Sequence, residues 1–296
     1  MTAIPPDWLT PDWPAPANVR ALCTTRAGGV SAAPWDSLNL GDHVGDDAAA
    51  VAANRRRLKQ AIQARPVFLK QVHGVRVADI DALTPDGTEA DACITPERGV
   101  ACTIMVADCL PVLFTTRDGV AVAAAHAGWR GLAGDGMARD GVAGVSVAGG
   151  SRNGVLEAIF ERFSAVVLTQ WSLFAINNIA NEKLAHSSVA ADTLAWLGPC
   201  IGPQAFVVGA EVRAAFVAHH AAAAEHFQPQ GNGKYLANLA GLARQRLHRL
   251  GITHIHGNDG SAPWCTVSNA SRFFSHRRDA GRLGSSGRLA ACIWRV

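Results

Sequence analysis

Apolar runs separated by short polar segments fill residues 101–131, ACTIMVADCLPVLFTTRDGVAVAAAHAGWRG. The first run, Ala101 to Ala107, predicts a strand because it is short and continuously apolar. Two further runs, Val112 to Thr116 and Val120 to Ala125, flank Arg117-Asp118-Gly119, whose Asp-Gly pair is typical of a turn. These two runs therefore predict a β-hairpin.

Further strands and helices are predicted on both sides of this stretch. Upstream, Val19 to Thr25 and Val67 to Val72 predict strands. Asp46 to Gln63 predicts a helix that Asp46 or Asp47 could cap. Downstream, the sequence predicts helices over 155–163, 210–225 and 235–250 and short strands over 194–197, 273–275 and 290–296. Because no internal repeat or linker divides the chain, we expect one mixed α/β domain over residues 1–296.

The composition excludes several classes of protein. Hydrophobic residues make up 49% of the 296 residues and charged residues 17%, which allows a sizeable core and is too little charge for a disordered chain. A formal net charge of +3 is weak for a nucleic-acid-binding protein, and aromatic residues, at 6%, are too few for a base-stacking surface. We therefore expect no nucleic acid among the partners.

Cysteine usage and the N-terminal sequence indicate a cytoplasmic protein. The seven cysteines are odd in number and lack a C-x-x-C pair, which argues against a secreted disulfide framework and against a zinc ribbon. Residues 1–16 are rich in proline and carry Asp7 and Asp12, unlike a signal peptide. The longest apolar stretch, 165–180, is interrupted by polar residues and is too short to cross a bilayer.

A side chain that can bind a metal follows each of three apolar strands. These side chains are His73 in the string QVHG, Cys109 in ADCLP and His126 in HAGWRG. Catalytic zinc takes three protein ligands, often histidine and cysteine, and leaves a fourth position open. Gly74 directly after His73 and Gly128 two residues after His126 permit close approach of backbone or substrate. The three side chains are therefore candidate ligands for a zinc ion, with the alternative that Cys109 is a small core residue, as single buried cysteines more often are.

These three strings resemble the YfiH/DUF152 family, also called polyphenol oxidase or laccase-domain proteins. The resemblance covers most of the chain and extends to TTRAGGVS (24–31), SLNLGDHVGDD (37–47), NRRRL (54–58), GPCIGPQAFVVG (198–209), KYLANL (234–239) and RFFSHRRD (272–279). It implies a single-domain α/β fold, arranged as a mixed α+β layered sandwich. It also implies a catalytic zinc site formed by His73, Cys109 and His126.

The resemblance further implies an activity. Members of the family that resemble this sequence are purine nucleoside phosphorylases for adenosine, inosine and methylthioadenosine with adenosine deaminase activity, so we expect these activities here. The expected cofactor is Zn²⁺, with copper as the alternative. The expected partners are purine nucleosides and phosphate, and the expected assembly is a monomer or homodimer that does not bind membranes.

One region departs from the family pattern. More chain separates Gly131 from Gly198 than in the family, where one short helix joins the corresponding strings. Residues 134–153 and 165–190 are therefore expected to be inserted or atypical. Seven glycines between Gly134 and Gly154, without a repeat period, predict a loop there.

Three polar residues in or beside the family strings are candidates for substrate binding. Arg26 and Arg130 carry guanidinium groups that can hold a phosphate, and the amide of Asn39 can hydrogen-bond to a ribose or a base. Turn structure is the alternative role for Arg26 and Asn39. Asp108, next to Cys109, is a candidate for orienting a ligand histidine, or else a helix cap.

The residues leave three other functions open. A copper-dependent polyphenol oxidase (laccase) needs a blue-copper site with two histidines, a cysteine and a weak axial ligand such as methionine, and a second copper cluster rich in His-x-His pairs. The chain has three methionines but only one such pair, His254-Ile255-His256. A metal-free cysteine hydrolase could use Cys109 as nucleophile and His126 as base, which leaves His73 without a role. A non-enzymatic binding protein is the third alternative, and turnover assays would separate it from the enzymes.

Overall fold

The computed structural model describes residues 4–134, 153–176 and 186–296. The helices in this part of the chain are α1 (Ala48–Ile62), α2 (Trp129–Ala133), α3 (Val155–Ile176), α4 (His186–Asp192), α5 (Ala210–His219), α6 (Leu239–Arg249) and α7 (His276–Leu283). The strands are β1 (Val19–Cys23), β2 (Arg65–Phe68), β3 (Val77–Asp79), β4 (Ala92–Thr95), β5 (Val100–Val106), β6 (Leu110–Thr116), β7 (Val122–Ala127), β8 (Thr193–Leu197), β9 (Val207–Gly209), β10 (Phe227–Gly231), β11 (Lys234–Ala237), β12 (His254–Gly257) and β13 (Leu289–Arg295).

The described strands form three sheets. A four-stranded sheet has the order β1-β13-β5-β2, and a six-stranded sheet has the order β12-β8-β6-β7-β4-β3. A small antiparallel sheet has the order β10-β11-β9. Because β5 belongs to the first sheet and β6 to the second, the chain crosses between the two large sheets at Ala107 to Cys109.

The two large sheets pack face to face. Successive side chains of a strand point to opposite faces. Cys102 and Ile104 of β5 therefore point between the sheets, where they join one core with Leu113 of β6, Trp196 of β8 and Ile293 of β13. This apolar layer fixes the relative position of the strand ends that carry the candidate site.

Helices cover the outer faces of both sheets. Met105 of β5 and Trp294 of β13 pack with Leu58 of α1 on one side. On the other side, Phe114 of β6 packs in a core with Phe163 of α3 and with residues of α5 and α6. The order of layers is thus helix, sheet, sheet and helices, which confirms the predicted layered α+β sandwich.

Local sequence signals predicted several elements correctly. β6 and β7 pair antiparallel with Thr115 opposite Val122, as the hairpin prediction requires. α1 begins after Asp47, whose carboxylate accepts hydrogen bonds from the N–H groups of Ala49 and Ala50. β1, β8 and β13 lie where strands were predicted.

Two predicted strands were placed wrongly. β2 covers Arg65–Phe68 and pairs with β5, so the chain has left the strand before Val72. The segment Phe273 to Ser275 is not a strand. Both phenylalanines are fully buried, so their aromatic character reflects burial rather than strand pairing.

Two predicted helices were too long. The prediction for 235–250 included Lys234–Ala237 in part, and this segment pairs with β9 and β10 as β11. Asn238 then caps α6 by accepting a hydrogen bond from the N–H group of Gly241. The predicted helix 210–225 ends at His219 and continues, after one residue, as a short 3-10 turn.

The two segments expected to be inserted lie mainly outside the described residues. Residues 135–152 and 177–185 are not described, and the first range contains most of the predicted loop. α3 includes the start of the 165–190 segment, and Val167 is buried in the core beside it. That residues 134–153 and 165–190 are inserted or atypical stays a prediction. Within the described ranges, no helix combines the length and the apolar character needed to cross a membrane.

Candidate metal centre

A buried carboxylate positions the loop that carries His73. Asp91 immediately precedes β4 and is fully buried. Its side chain accepts hydrogen bonds from the N–H groups of Val72, His73 and Gly74 at 3.2, 2.8 and 2.7 Å. His73 has a positive φ of 62°, which a non-glycine residue adopts only when its surroundings require it. Asp91 thus holds a tight loop that presents the His73 side chain.

The same carboxylate orients His126. Asp91 Oδ1 lies 2.9 Å from His126 Nδ1, and the Asp91 carbonyl oxygen accepts from the backbone N–H of His126 at 2.7 Å. The imidazole is buried within β7, so it lies inside the strand and not just after it as predicted. Because Nδ1 is engaged by Asp91, Nε2 is the nitrogen left to bind a ligand.

Cys109 lies where the chain crosses between the two large sheets. The preceding Asp108 has a positive φ of 93°, and β6 begins directly after the cysteine. This turn places the Cys109 side chain beside the two histidines. The sequence prediction that three separate segments meet is therefore matched by the geometry.

The three side chains form a compact donor set. One ligand atom from each of His73, Cys109 and His126 lies within 4.8 Å of the others. His73 Nε2 lies 3.6 Å from Cys109 Sγ. Tetrahedral zinc with usual Zn–N and Zn–S bond lengths separates two such ligands by about 3.6 Å. The separation of His73 and Cys109 therefore fits a tetrahedral metal ion, and a set of three donors would leave a fourth position open.

Neighbouring glycines leave room for this cluster. A Cβ atom on Gly128 would lie 2.9 Å from Cys109 Sγ and 3.0 Å from His73 Cδ2. A Cβ atom on Gly131 would lie 2.7 Å from the carbonyl oxygen of Gly74. The HAGWRG string therefore needs both glycines to pack against the cluster.

Cys109 and His126 shift each other's pKa. Burial raises the pKa of the Cys109 thiol, but the neighbouring His126 and His73 outweigh it and lower this pKa to about 6. Burial lowers the pKa of His126, but Cys109 and Asp91 raise it to about 9. At neutral pH the pair therefore favours a thiolate, which is the form that binds metals and attacks electrophiles.

A cavity of about 470 Å³ opens beside the cluster. Its apolar wall includes Trp129, Ile201, Phe206 and Leu239. This volume lies within the usual range for small-molecule sites. The cavity can accordingly hold a substrate in contact with the three donor side chains.

Arg26 and Asn39 do not line this cavity. The Arg26 guanidinium donates to the carbonyl oxygens of Asp36 and Ala270 and lies 4.9 Å from the centre of the Phe274 ring. Asn39 is fully buried. Its Nδ2 donates to the carbonyl oxygen of Gly41 and to Asp46 Oδ2, and its Oδ1 accepts hydrogen bonds from the backbone N–H groups of Gly41 and Arg288. The structure therefore shows both side chains stabilising turns.

Arg130 and Asp108 do line the cavity. The Arg130 guanidinium lies 4.5 Å from the centre of the Trp129 ring. The Asp108 carboxylate accepts hydrogen bonds from Thr266 Oγ1 and from the backbone N–H of Arg277, both at 2.6 Å. The carboxylate that contacts a candidate ligand histidine is that of Asp91, which sequence reasoning missed because no local pattern links it to His73 or His126.

The His-x-His pair is not near the candidate centre. His254 and His256 lie on β12, at the edge of the six-stranded sheet. His254 Nε2 lies 2.6 Å from the Arg117 guanidinium. Over residues 4–134, 153–176 and 186–296, the His73, Cys109 and His126 set is the one group of three side chains close enough to hold a metal.

Comparison with known proteins places the chain in a family. A family model described as multi-copper polyphenol oxidoreductase laccase matches residues 20–160 and 175–296. A purine nucleoside phosphorylase from Pseudomonas aeruginosa is 46% identical, over 97% of this chain and 98% of that protein. The Escherichia coli purine nucleoside phosphorylase YfiH is 42% identical, over 97% of this chain and 98% of that protein.

Solved structures agree in fold. A Neisseria meningitidis protein of family DUF152 is 38% identical with a TM-score of 0.74, over 98% of this chain and 99% of that one. A Bacillus licheniformis protein, YfiH, is 25% identical with a TM-score of 0.73, over 94% of this chain and 93% of that one. The extent of these matches over both chains shows that this chain belongs to the YfiH/DUF152 family of laccase-domain proteins.

Proposed function

We propose that this protein is a zinc-dependent purine nucleoside phosphorylase that also deaminates adenosine. The observation that carries the proposal is the His73, Cys109 and His126 donor set at the wall of a substrate-sized cavity. The phosphorylase names of the relatives supply the substrate class. Adenosine, inosine and methylthioadenosine are the proposed nucleosides.

Phosphorolysis exchanges one bond at the sugar for another. A phosphate oxygen bonds to C1′ as the C1′–N bond of the nucleoside breaks. The electron pair of that bond stays on the purine nitrogen, which takes up a proton. The apolar side chains of Trp129, Phe206 and Leu239 provide a surface for the flat purine ring.

Deamination would use the donor set differently. Water adds to C6 of adenine and ammonia leaves, which converts adenosine to inosine. When bound, zinc supplies Lewis-acid chemistry that activates a water or polarises the base. The Asp91 carboxylate beside His126 Nδ1 would hold a proton on that nitrogen and fix the ring orientation, so that Nε2 would be the atom that holds the zinc.

Zinc suits the donor set better than copper. A blue-copper site needs a weak axial ligand such as methionine. Met105 lines the cavity, but it packs in the core against α1, and its sulfur lies 4.0 Å from a nitrogen of the Arg55 guanidinium. Because its sulfur already contacts this guanidinium, Met105 is a poor candidate for the axial ligand that a blue-copper site needs.

Elemental and product analysis test the proposal together. Purified protein should hold about one zinc and little copper per chain. Chromatography should show free purine and pentose 1-phosphate from inosine only when phosphate is present, and inosine from adenosine without it. A copper-dominated protein with a blue absorption band, or a zinc-loaded protein that turns over none of the three nucleosides, would overturn it.

A metal-free cysteine hydrolase is the second candidate. The low pKa of Cys109, about 6, and the raised pKa of His126, about 9, favour the thiolate–imidazolium pair that such an enzyme uses. Chelator-treated protein that keeps full activity would support this candidate and exclude the zinc proposal. The monomeric or dimeric state, the absence of nucleic-acid and membrane partners, and the cytoplasmic location stay predictions.

A further inference from the structure

The charged side chains of the cavity are predominantly basic. Three arginines line it, Arg130, Arg277 and Arg288, together with the single carboxylate of Asp108. That carboxylate already accepts hydrogen bonds from Thr266 Oγ1 and from the backbone N–H of Arg277. The cavity therefore has more positive charge than its own residues neutralise.

Arg288 is anchored close to the candidate metal centre. Its backbone N–H donates to Asn39 Oδ1 at 2.8 Å, directly before β13 begins. Its Nη1 donates to the carbonyl oxygens of Ser286 and Gly287 at 2.8 and 3.1 Å. Across the described ranges, no carboxylate lies within salt-bridge distance of its guanidinium. The group is thus fixed in place with its remaining donors available to the cavity.

Arg277 provides a second guanidinium from a different element. It is the second residue of α7, and its Nη1 donates to the carbonyl oxygen of Val207 at 3.2 Å. The guanidinium also lies 5.6 Å from the centre of the Phe206 ring. The N–H groups of Arg277 and Arg278 are bonded to Asp108 and Ser275. Side-chain charge, more than the helix terminus, therefore makes this wall attractive to an anion.

The pKa of a neighbouring histidine is consistent with positive charge in the cavity. His43 lines the same cavity, and burial together with Arg288 lowers its pKa. Two guanidinium groups in one cavity repel each other unless an anion lies between or beside them. Guanidinium groups also match the oxygen spacing of a phosphate with paired hydrogen bonds.

We propose that Arg277 and Arg288 form the subsite for a tetrahedral oxyanion in the cavity that contains His73, Cys109 and His126. The inference rests on the proposed function, in which this oxyanion is the phosphate that attacks C1′. Two sources share the chemistry: free inorganic phosphate, and the phosphoryl group of a phosphorylated nucleoside. The subsite replaces Arg26, which lies away from the cavity, as the candidate for holding phosphate.

Binding measurements on the zinc-loaded protein test the subsite without any turnover. The probes are inorganic phosphate, adenosine 5′-monophosphate and adenosine, measured by titration calorimetry and by the rise in melting temperature. Arg277→Gln and Arg288→Gln should each weaken oxyanion binding about tenfold or more, because a charged hydrogen-bonding partner is lost. Zinc content should stay unchanged. Arg282→Gln, an exposed arginine further along α7, is the matched control.

The outcomes separate this proposal from the proposed function. Selective loss of phosphate binding identifies the free anion as the ligand, whereas loss for the monophosphate alone identifies a phosphorylated substrate. If the arginine variants lose oxyanion binding but the wild type performs no phosphorolysis, the subsite stands and the proposed function fails. Wild-type affinity in both variants, or no oxyanion binding by the wild type, would overturn the subsite. Arg277 is exposed, so its variant remains informative should Arg288→Gln fail to fold.

Discussion

Two groups of polar side chains occur in the family strings, and the structure uses them differently. His73, Cys109 and His126 direct their ligand atoms toward one another at the wall of a cavity. Arg26 and Asn39, in strings of equal prominence, direct theirs toward backbone groups of nearby turns. The strings alone do not distinguish the two uses.

The two groups differ in whether a polar side-chain atom is left without a partner after the hydrogen bonds within the protein have formed. A buried amide such as that of Asn39 must use its oxygen and nitrogen within the protein, because unpaired buried polar atoms are costly. His126 shares this need, but Asp91 satisfies Nδ1 and leaves the second nitrogen for a ligand. A side chain can therefore bind a ligand only if it carries a suitable donor or acceptor atom that its contacts within the protein leave unpaired.

The largest effect is expected from removing the central ligand of the cluster. Cys109→Ser replaces a thiolate by a hydroxyl, which binds zinc poorly and stays protonated at neutral pH. Zinc content and phosphorolysis should fall together, with kcat/KM reduced by more than about 100-fold. Elemental analysis and steady-state assays on the same preparation check this.

Cys265→Ser is the matched control for this change. The Cys265 sulfur accepts hydrogen bonds from Gly202 N and Ser268 Oγ, which a serine hydroxyl can also accept. This variant should keep its zinc and its activity. A Cys109→Ser protein that retains one zinc per chain with normal kcat/KM would break the distinction between the two groups of side chains.

The second-largest effect is expected at Asp91 and not at Asp108, which are the two carboxylates near the cluster. Asp91→Asn weakens the partner of His126 Nδ1 and puts an amide N–H among the backbone donors of the His73 loop. Zinc affinity should fall about 10- to 100-fold. Asp108→Asn should leave zinc affinity near the wild-type value, because its carboxylate bonds to Thr266 and Arg277. Competition with a chromophoric chelator measures both, and the reverse ranking would restore Asp108 as the orienting residue.

Elements that depend on neighbouring residues were predictable, and elements that depend on distant pairing were not. The β6–β7 hairpin and α1 follow from a turn and a cap encoded within a few residues. The Lys234–Ala237 strand forms only because β9 and β10 lie on its two sides. Its sequence continues the apolar spacing of α6, so local periodicity extended the predicted helix into it.

The same limit applies to the candidate site. Each of the three candidate ligand residues follows an apolar run in the sequence, which is a local signal. Asp91 is 35 positions before His126 and reaches it only because β4 pairs with β7. Arg288 directly precedes β13 in the other large sheet, so the packing of the two sheets brings it to the cavity. Sequence reasoning found the groups that could bind a metal and missed those that orient the metal ligands or balance charge.

A smaller effect, on stability and not on the metal, is expected at Asn39. Asn39→Ala removes acceptors and donors for Gly41, Asp46 and the Arg288 backbone, and it should lower the free energy of unfolding by about 2–4 kcal/mol. Urea unfolding measures this, with Asn18→Ala as a control whose amide makes two longer bonds at a partly exposed position. The folded fraction should keep its zinc. Loss of zinc without loss of stability would assign Asn39 to the site after all.

The smallest effect on stability is expected at Arg26. Arg26→Ala removes two hydrogen bonds to carbonyl oxygens, and its ion pair with the half-exposed Asp36 adds little, so unfolding free energy should fall by about 1 kcal/mol. The KM values for phosphate and nucleoside should stay within about twofold, because the side chain lies away from the cavity. Arg130→Ala is the informative contrast, since that guanidinium lines the cavity beside Trp129. Its loss should raise the KM for phosphate or the KM for nucleoside several-fold. If Arg26→Ala raises the KM for phosphate tenfold while Arg130→Ala changes neither KM, the assignment of these two arginines is reversed, and position in the family strings predicts substrate binding better than position at the cavity wall.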